Sequence, residues 1–391
     1  MKHTLNNSAM SAREQTELGL SVVIDVFDEG YLFESINNER VLELSRLGGR
    51  SGFSGTKAIQ KSTGIANRRI LQQGLKPVDL GVQVFRKLQH QAACELSGFD
   101  HILLCHSHVR SEESVELARQ LEVHFDLAPN RITPFNHGCA GFLKLMTEAS
   151  VLLEDAEPGS KVAMVSVETP EFWHDAADRL FCGIVSAGAT AAVMEVGQGL
   201  PLSSIQSEDF RIPESRRPNP DPLFSKETTD VFDFRGLPCQ RTVMRMNPEP
   251  VFLNGIELML DNLRSALMSI DYQLGQRVIV APHQPSGKLL KALTAAARTE
   301  FPEIEFLNNL EGYGNTISSS VPTLVSRLNQ VMQDNKLPPL QEGDTVILLA
   351  AGICMNEIEN HMSAGHACLT WQPHLLNGKQ SRPAEVAVNV H

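Results

Sequence analysis

The 391 residues are 42% hydrophobic and 20% charged, which supplies apolar surface for a large core over a length that fits two or three domains or one large duplicated fold. A formal charge of -12 excludes a surface built to track nucleic-acid phosphates, which needs clustered Lys and Arg. The opening MKHTLNNSAMSAREQ lacks the apolar centre of a secretion signal and runs such as VILLAAGICM are too short to span a bilayer, so the expectation is a cytoplasmic chain with no membrane partner.

In chain order, a helical pattern from about Leu80 to Leu96 leads through Gly98 into the apolar strand HILLCHSH (101–108), and the helical SEESVELARQLEVHF (111–125) follows. His106 and His108 share a strand face, but no third residue has matching ligand spacing, so they read as structural or pocket-lining and no metal is expected. In RITPFNHGCAGFLKLMTEASVLLE (131–154) β-branched and apolar residues give way at Asn136 to helical spacing at Phe142, Leu145, Met146, Ala149 and Leu153. Cys139 therefore sits at a strand-to-helix turn between Gly138 and Gly141. A helix start favours a thiolate, small neighbours let a substrate approach, and the Cys139 N–H would point toward an oxyanion. The competing reading is one more buried cysteine, since the seven cysteines contain no C-x-x-C pair and signal neither a disulfide framework nor a zinc knuckle.

From about Ile212 to Arg241 prolines and charges break any period, which predicts a long surface excursion, partly ordered over an active-site mouth. Then GIELMLDNLRSALMSI (255–270), RVIVAPHQ (277–284) and KLLKALTAAARTEF (288–301) repeat the helix, strand, helix plan of the first half. Buried strands without clean alternation, separated by helices, predict mostly parallel sheets covered on both faces, in an internally duplicated α/β fold. His283 stands where the second strand emerges, and Asn315 lies in the turn EGYGNTISSSVP. A neutral imidazole and an amide can both donate to a developing enolate; a capping histidine and a turn asparagine are the plainer alternatives.

Taken in order, G-C-A-G-F, P-H-Q and Y-G-N-T-x-x-S-S-V-P resemble the thiolase superfamily, and within it the β-ketoacyl-acyl-carrier-protein synthase III group. TGIANRRI (63–70), SAGATAAVME (186–195), MNPEPVF (246–252) and GDTVILLAAG (343–352) resemble further motifs of that group, from about Val22 to Trp371. The resemblance implies the five-layered αβαβα thiolase fold, usually a homodimer, with an N-terminal half over 20–200 carrying Cys139 and a C-terminal half over 201–391 carrying His283 and Asn315. It implies that Cys139 is acylated by a thioester on acyl carrier protein or coenzyme A, that His283 and Asn315 stabilise the second substrate, and that no resident cofactor is used. The reaction would be a Claisen condensation in lipid or specialised metabolism. Two other outcomes stay open: transfer of the acyl group to an alcohol or amine, and a non-catalytic partner subunit.

The resemblance also assigns finer roles. Lys288, with Arg68 and Arg69, would meet an acidic carrier protein. Glu112 or Glu113 would be a base acting in the neighbouring subunit. The second oxyanion donor would be the Ala367 N–H, because L-T-W follows it, or the Cys354 N–H if the apparent insertion ICMNEIENHMS is placed otherwise. The tryptophan and arginine by which relatives clamp coenzyme A are replaced by Ala58 and Ser62, which points to a carrier-protein donor.

Overall fold

The computed structural model describes residues 17–217, 221–355 and 360–376. The opening segment, part of the apparent insertion and the tail beyond 376 lie outside the described residues.

The N-terminal strands are β1 (Leu18–Asp25), β2 (Phe33–Asn37), β3 (Asn67–Leu71), β4 (His101–Cys105), β5 (Ile132–Phe135), β6 (Lys161–Glu168) and β7 (Gly188–Val196). The rest are β8 (Leu200–Arg211), β9 (Phe224–Phe232), β10 (Pro238–Met246), β11 (Val278–Pro282), β12 (Glu305–Phe306), β13 (Thr345–Ile353) and β14 (His361–Thr370). One ten-stranded sheet runs β12-β11-β13-β14-β8-β1-β7-β6-β4-β5. Its two halves repeat one plan. In each, an inner strand pairs in parallel with two neighbours, β4 with β5 and β6, β11 with β12 and β13, and the remaining pairs are antiparallel. The expectation of mostly parallel sheets is thus corrected to a mixed sheet. Continuous apolar runs report burial on both faces and carry no information on strand direction.

Alternation along the strands builds five layers. Val346, Leu348 and Ala350 of β13 face inward with Leu20, Met164 and Met194 of the other half, against the helices Gly141–Leu152 and Ser320–Ser326. Their neighbours Ile347, Leu349 and Ala351 face outward with residues of the helices Pro248–Ser269 and Gly287–Glu300. On the N-terminal side Ile102, Leu104, Val165 and Val167 pack against the helices Pro77–Ala92 and Glu112–His124. The order helix, sheet, helix, sheet, helix is the five-layered arrangement of the thiolase fold.

The predicted excursion is a regular hairpin. β9 and β10 pair antiparallel from Phe224 opposite Met246 to Phe232 opposite Pro238. The ribbon FSKETTDVF exposes most of its polar residues and buries Phe224 and Val231, a short apolar signal that the surrounding prolines and charges obscure.

Candidate active site

Cys139 lies in a single 3-10 turn, Gly138–Ala140, that delivers the chain from β5 into the helix Gly141–Leu152. Two glycines make room for it. Gly138 has φ +75°, and a Cβ there would come within 2.5 Å of the Ile353 carbonyl oxygen. A Cβ on Gly352 would stand 2.5 Å from the Cys139 Cβ and 2.9 Å from its Sγ, so only glycine lets β13 pass beside the thiol. Cys139 is half-buried and opens onto a cavity of about 560 Å³ that His283, Asn315, Gly352, Ile353 and Lys288 also line. Burial, with the Glu168 carboxyl nearby, pushes the thiol up to about 12. Burial thus opposes the thiolate that the helix start favours, and a thiol that rests protonated sheds its proton as it attacks.

His283 follows β11 directly and is anchored by its backbone N–H, which donates to the Leu349 carbonyl at 2.6 Å. Its ring is fully buried, and burial lowers its pKa to about 3, so the imidazole is neutral. Nδ1 lies 2.6 Å from the Ser320 hydroxyl, while Nε2 has no partner. The Ser320 Oγ is also 2.9 Å from the Ile317 carbonyl. When the hydroxyl turns its proton from the Ile317 carbonyl to Nδ1, the ring proton sits on Nε2, the tautomer in which that nitrogen is a donor facing the reaction.

Asn315 is oriented as firmly. Its Oδ1 accepts from the Ile317 N–H at 2.9 Å, which leaves the amide NH₂ for the cavity. Its backbone is strapped to the other half of the molecule: Asn315 N–H donates to Ile184 O, and Ser186 N–H donates to Asn315 O, each at 2.9 Å. Ile317 closes this turn at φ +52°, a left-handed conformation costly for a β-branched residue and held here by its surroundings.

The second oxyanion donor differs from both sequence expectations. Ala367 lies inside β14, opposite Leu348 on one side and Ile205 on the other, and is fully buried in the middle layer. Its N–H belongs to the sheet and has no path to Cys139. The insertion forms the connection between β13 and β14, so L-T-W marks the far end of the last strand and not a loop beside the cysteine. Cys354 is excluded too, because its N–H donates to the His361 carbonyl at 3.1 Å. With Ile353 opposite Met362, antiparallel alternation turns the Ile353 N–H and C=O to the other edge of β13, where Gly138 and Cys139 stand. The Ile353 N–H thus faces the edge of β13 against which the Cys139 turn packs, an apposition across the fold that only a correct strand end could have revealed.

Lys288 is exposed on the first turn of the helix Gly287–Glu300 and lines the cavity. Arg68 is corrected: it is 1% exposed and its guanidinium donates to Gly183 O, Asn38 Oδ1, Ala66 O and Thr63 Oγ1, so it cannot meet a carrier surface. Arg69 is only partly buried; its guanidinium lies over the Phe27 and Tyr313 rings at 5.1 and 4.9 Å and donates to Gly312 O, outside the cavity lining. Glu112 and Glu113 open the helix Glu112–His124 beside Arg110 and are absent from the lining of their own chain's cavity. Sequence reasoning missed a further pair: the exposed Arg179 guanidinium sits 5.6 Å over the Phe53 ring, and both line the cavity.

The His106 Nδ1–H donates to the Val167 carbonyl at 2.6 Å, and neither it nor His108 reaches the cavity. One group among the described residues could hold a metal ion, His137, Asp209 and Cys354, whose ligand atoms lie within 4.8 Å of one another. The His137 and Asp209 side chains already meet at 3.3 Å, and the chemistry of the cavity does not call on a metal there.

The buried ionisable groups set how stability depends on pH. Burial lowers the pKa of His106, His137 and His366 to about 4, of His108 and His283 to about 3, and of His174 well below its usual value. Below about 6.5 the unfolded chain therefore takes up protons that the folded chain refuses, and stability is lost as pH falls from 6.5 toward 4. Burial raises Glu168 to about 8 and Glu171 to about 7, so for these the unfolded chain ionises first and stability declines as pH rises from 4.5 toward 8. Each group titrating in one state alone contributes about 1.4 kcal/mol per pH unit, and the six histidines outnumber the two glutamates. The melting temperature should peak near pH 6.5–7 and fall most steeply on the acid side; Glu168→Gln should flatten the alkaline decline. A melting profile that is level between pH 5 and 7 would contradict the burial of these rings.

Comparison with known proteins agrees with this geometry. Residues 270–356 match the family described as 3-oxoacyl-[acyl-carrier-protein] synthase III C terminal. The β-ketoacyl-[acyl-carrier-protein] synthase III of Porphyra purpurea is 24% identical over 298 residues, 75% of this chain and 86% of the relative. Among solved structures, 3-oxoacyl-(acyl carrier protein) synthase III of Pseudomonas aeruginosa superposes with TM-score 0.68 at 19% identity, covering 91% of this chain and 98% of that one. The priming β-ketosynthase of the R1128 polyketide pathway gives TM-score 0.68 at 19% identity, covering 92% and 98%. Family match, relatives and fold agree in likening the chain to the β-ketoacyl-acyl-carrier-protein synthase III enzymes, whose thiolase fold it shares.

Proposed function

We propose that the protein is a condensing acyltransferase that carries an acyl group on Cys139 and joins it to a second thioester in lipid or specialised-metabolite biosynthesis. The observation that carries this is the convergence on one cavity of Cys139, His283 Nε2, the Asn315 amide and the Ile353 backbone. Sγ attacks the acyl thioester carbonyl, the oxyanion is held by the Cys139 and Ile353 N–H groups, and the departing thiolate takes the thiol proton. The second thioester then loses carbon dioxide or a proton at its α-carbon. The electron pair passes to its carbonyl oxygen, which His283 and Asn315 hold as an enolate. The α-carbon attacks the acyl-enzyme, the C–S bond breaks, and the departing Cys139 thiolate regains its proton, from solvent after decarboxylation or from the α-carbon otherwise. Intact-mass measurement after incubation with a panel of acyl thioesters tests the reading: a mass gain equal to the acyl group and mapped to Cys139 supports it, and no adduct from any donor rejects it.

The donor in this reading is an acyl carrier protein. Ala58 and Ser62 supply no clamp for a nucleotide, and Lys288 stands exposed at the cavity, where its charge acts locally within about 8–10 Å against the overall charge of -12. One observation favours coenzyme A instead: Phe53 with Arg179 over it is an aromatic and cationic face on which a purine can stack. Loading rates from matched donors decide between them. The expected result is faster loading from the carrier protein and a several-fold loss on Lys288→Glu. Equal or faster loading from coenzyme A, reduced by Arg179→Ala and untouched by Lys288→Glu, reverses the assignment. A homodimer, with Glu112 or Glu113 serving the neighbouring cavity, belongs to the same proposal.

A further inference from the structure

Most of the cavity wall is apolar, including Phe181, Met244, Met246, Val251, Phe252 and Met362. Among its described lining residues, three have a buried side-chain polar atom with no hydrogen-bond partner: His283 Nε2, Trp173 Nε1 and His174 Nδ1. The first awaits the second substrate. The other two have no place in the condensation chemistry, yet they carry the same signature.

Trp173 and His174 are 2% and 1% exposed. They cannot turn to find partners. The His174 ring is sandwiched, 4.0 Å from Phe181 at 17° and 4.1 Å from Trp173 at 37°, and the Trp173 ring meets His108 edge-on at 6.2 Å. The turn that bears them is pinned as well, since Arg241 donates to the Glu171 carbonyl and the Glu171 carboxylate accepts from the Leu71 N–H at 2.8 Å. Leaving a buried donor or acceptor unmade is destabilising, a cost that phenylalanine at either position would avoid. An indole N–H is a donor only, whereas a neutral imidazole offers one donor and one acceptor. A hydroxyl group satisfies both, accepting from the tryptophan and donating to the histidine. A keto oxygen accepts from the tryptophan and from the imidazole N–H.

We propose that Trp173 and His174 form a polar subsite in the apolar cavity that selects an oxygen-bearing acyl group, hydroxyacyl or oxoacyl, over a plain alkyl chain of the same length. This rests on acyl loading at Cys139. An alkyl chain that fills the site displaces any water and leaves both groups unpaired, and discrimination of this kind is larger than that from an added methylene.

The test measures the rate of Cys139 acylation by intact mass, with plain, 3-hydroxy, 3-oxo and terminally hydroxylated acyl thioesters of matched length. In the wild-type enzyme at least one oxygenated chain should load tenfold or more faster than its alkyl counterpart. Trp173→Phe and His174→Phe should each pull that ratio toward one. His174→Phe should also raise the melting temperature of the free protein, because it removes an unpaired buried polar atom, and this shows the variant to be folded. An alkyl chain that loads as fast as every oxygenated partner, or a preference that survives both substitutions, overturns the subsite while leaving acyl transfer intact. Failure of every thioester to load overturns the acyl-enzyme as well.

Discussion

Cys139→Ala should reduce acyl loading to background, a loss on the order of 10⁶-fold of the kind seen when a covalent nucleophile is removed. No other thiol can take its place. Cys105, Cys182, Cys354 and Cys368 are buried, Cys94 and Cys239 are half-buried, and none of the six lines the cavity. The variant should keep its fold, because the Gly352 backbone packs against the Cys139 Cβ, which alanine retains. Intact-mass spectra of the variant after exposure to a donor that loads the wild type are the check. An adduct of the same mass on Cys139→Ala would move the nucleophile elsewhere.

His283→Ala and Asn315→Ala should separate the two half-reactions. Loading uses the Cys139 and Ile353 N–H groups and should proceed in both variants. Condensation needs the donors from Nε2 and the side-chain amide at the second substrate, and loss of either should slow it by about 10²–10³-fold. Ser320→Ala should act on the same step, with the smaller loss expected of a residue that positions the imidazole and touches no substrate. The measurement is single-turnover condensation from pre-acylated enzyme, so that loading cannot mask the result. Normal turnover by either alanine variant would remove that residue from the mechanism. Failure to load would show that the histidine or the asparagine also serves the first half-reaction.

What could be read along the chain was local. The turn that presents Cys139, the polar end of β11 with His283 and the Asn315 turn each announce themselves within about ten residues, because a strand, a turn and a helix start are short-range patterns. The repeated helix, strand, helix plan was visible for the same reason. What could not be read depended on which segments meet across the fold. β13 and β14 are buried along most of both faces, so nothing in their composition says that they run antiparallel, and the direction decides that Ile353 and not Ala367 faces the thiol. Arg68 looks like any surface arginine until Gly183, Asn38 and Thr63 close around it. Trp173 and His174 gave no signal at all, because an unpaired polar atom is a property of surroundings contributed by β10 and by the Phe181 segment.

The matching plans of the two half-sheets give every catalytic side chain a counterpart. β4 corresponds to β11, so His106, which follows β4, is the counterpart of His283; β5 corresponds to β12, so the Cys139 turn answers the Asn315 turn. His106 spends its Nδ1 on the Val167 carbonyl, where His283 meets a serine hydroxyl. An ancestor made of two identical half-length chains would have held both imidazoles and both turns twice around one axis. The two copies now differ, one bearing the nucleophile and the other the groups that would hold the enolate. The same divergence removed redundancy: neither half retains what the other supplies, and a lesion in one has no spare in its twin.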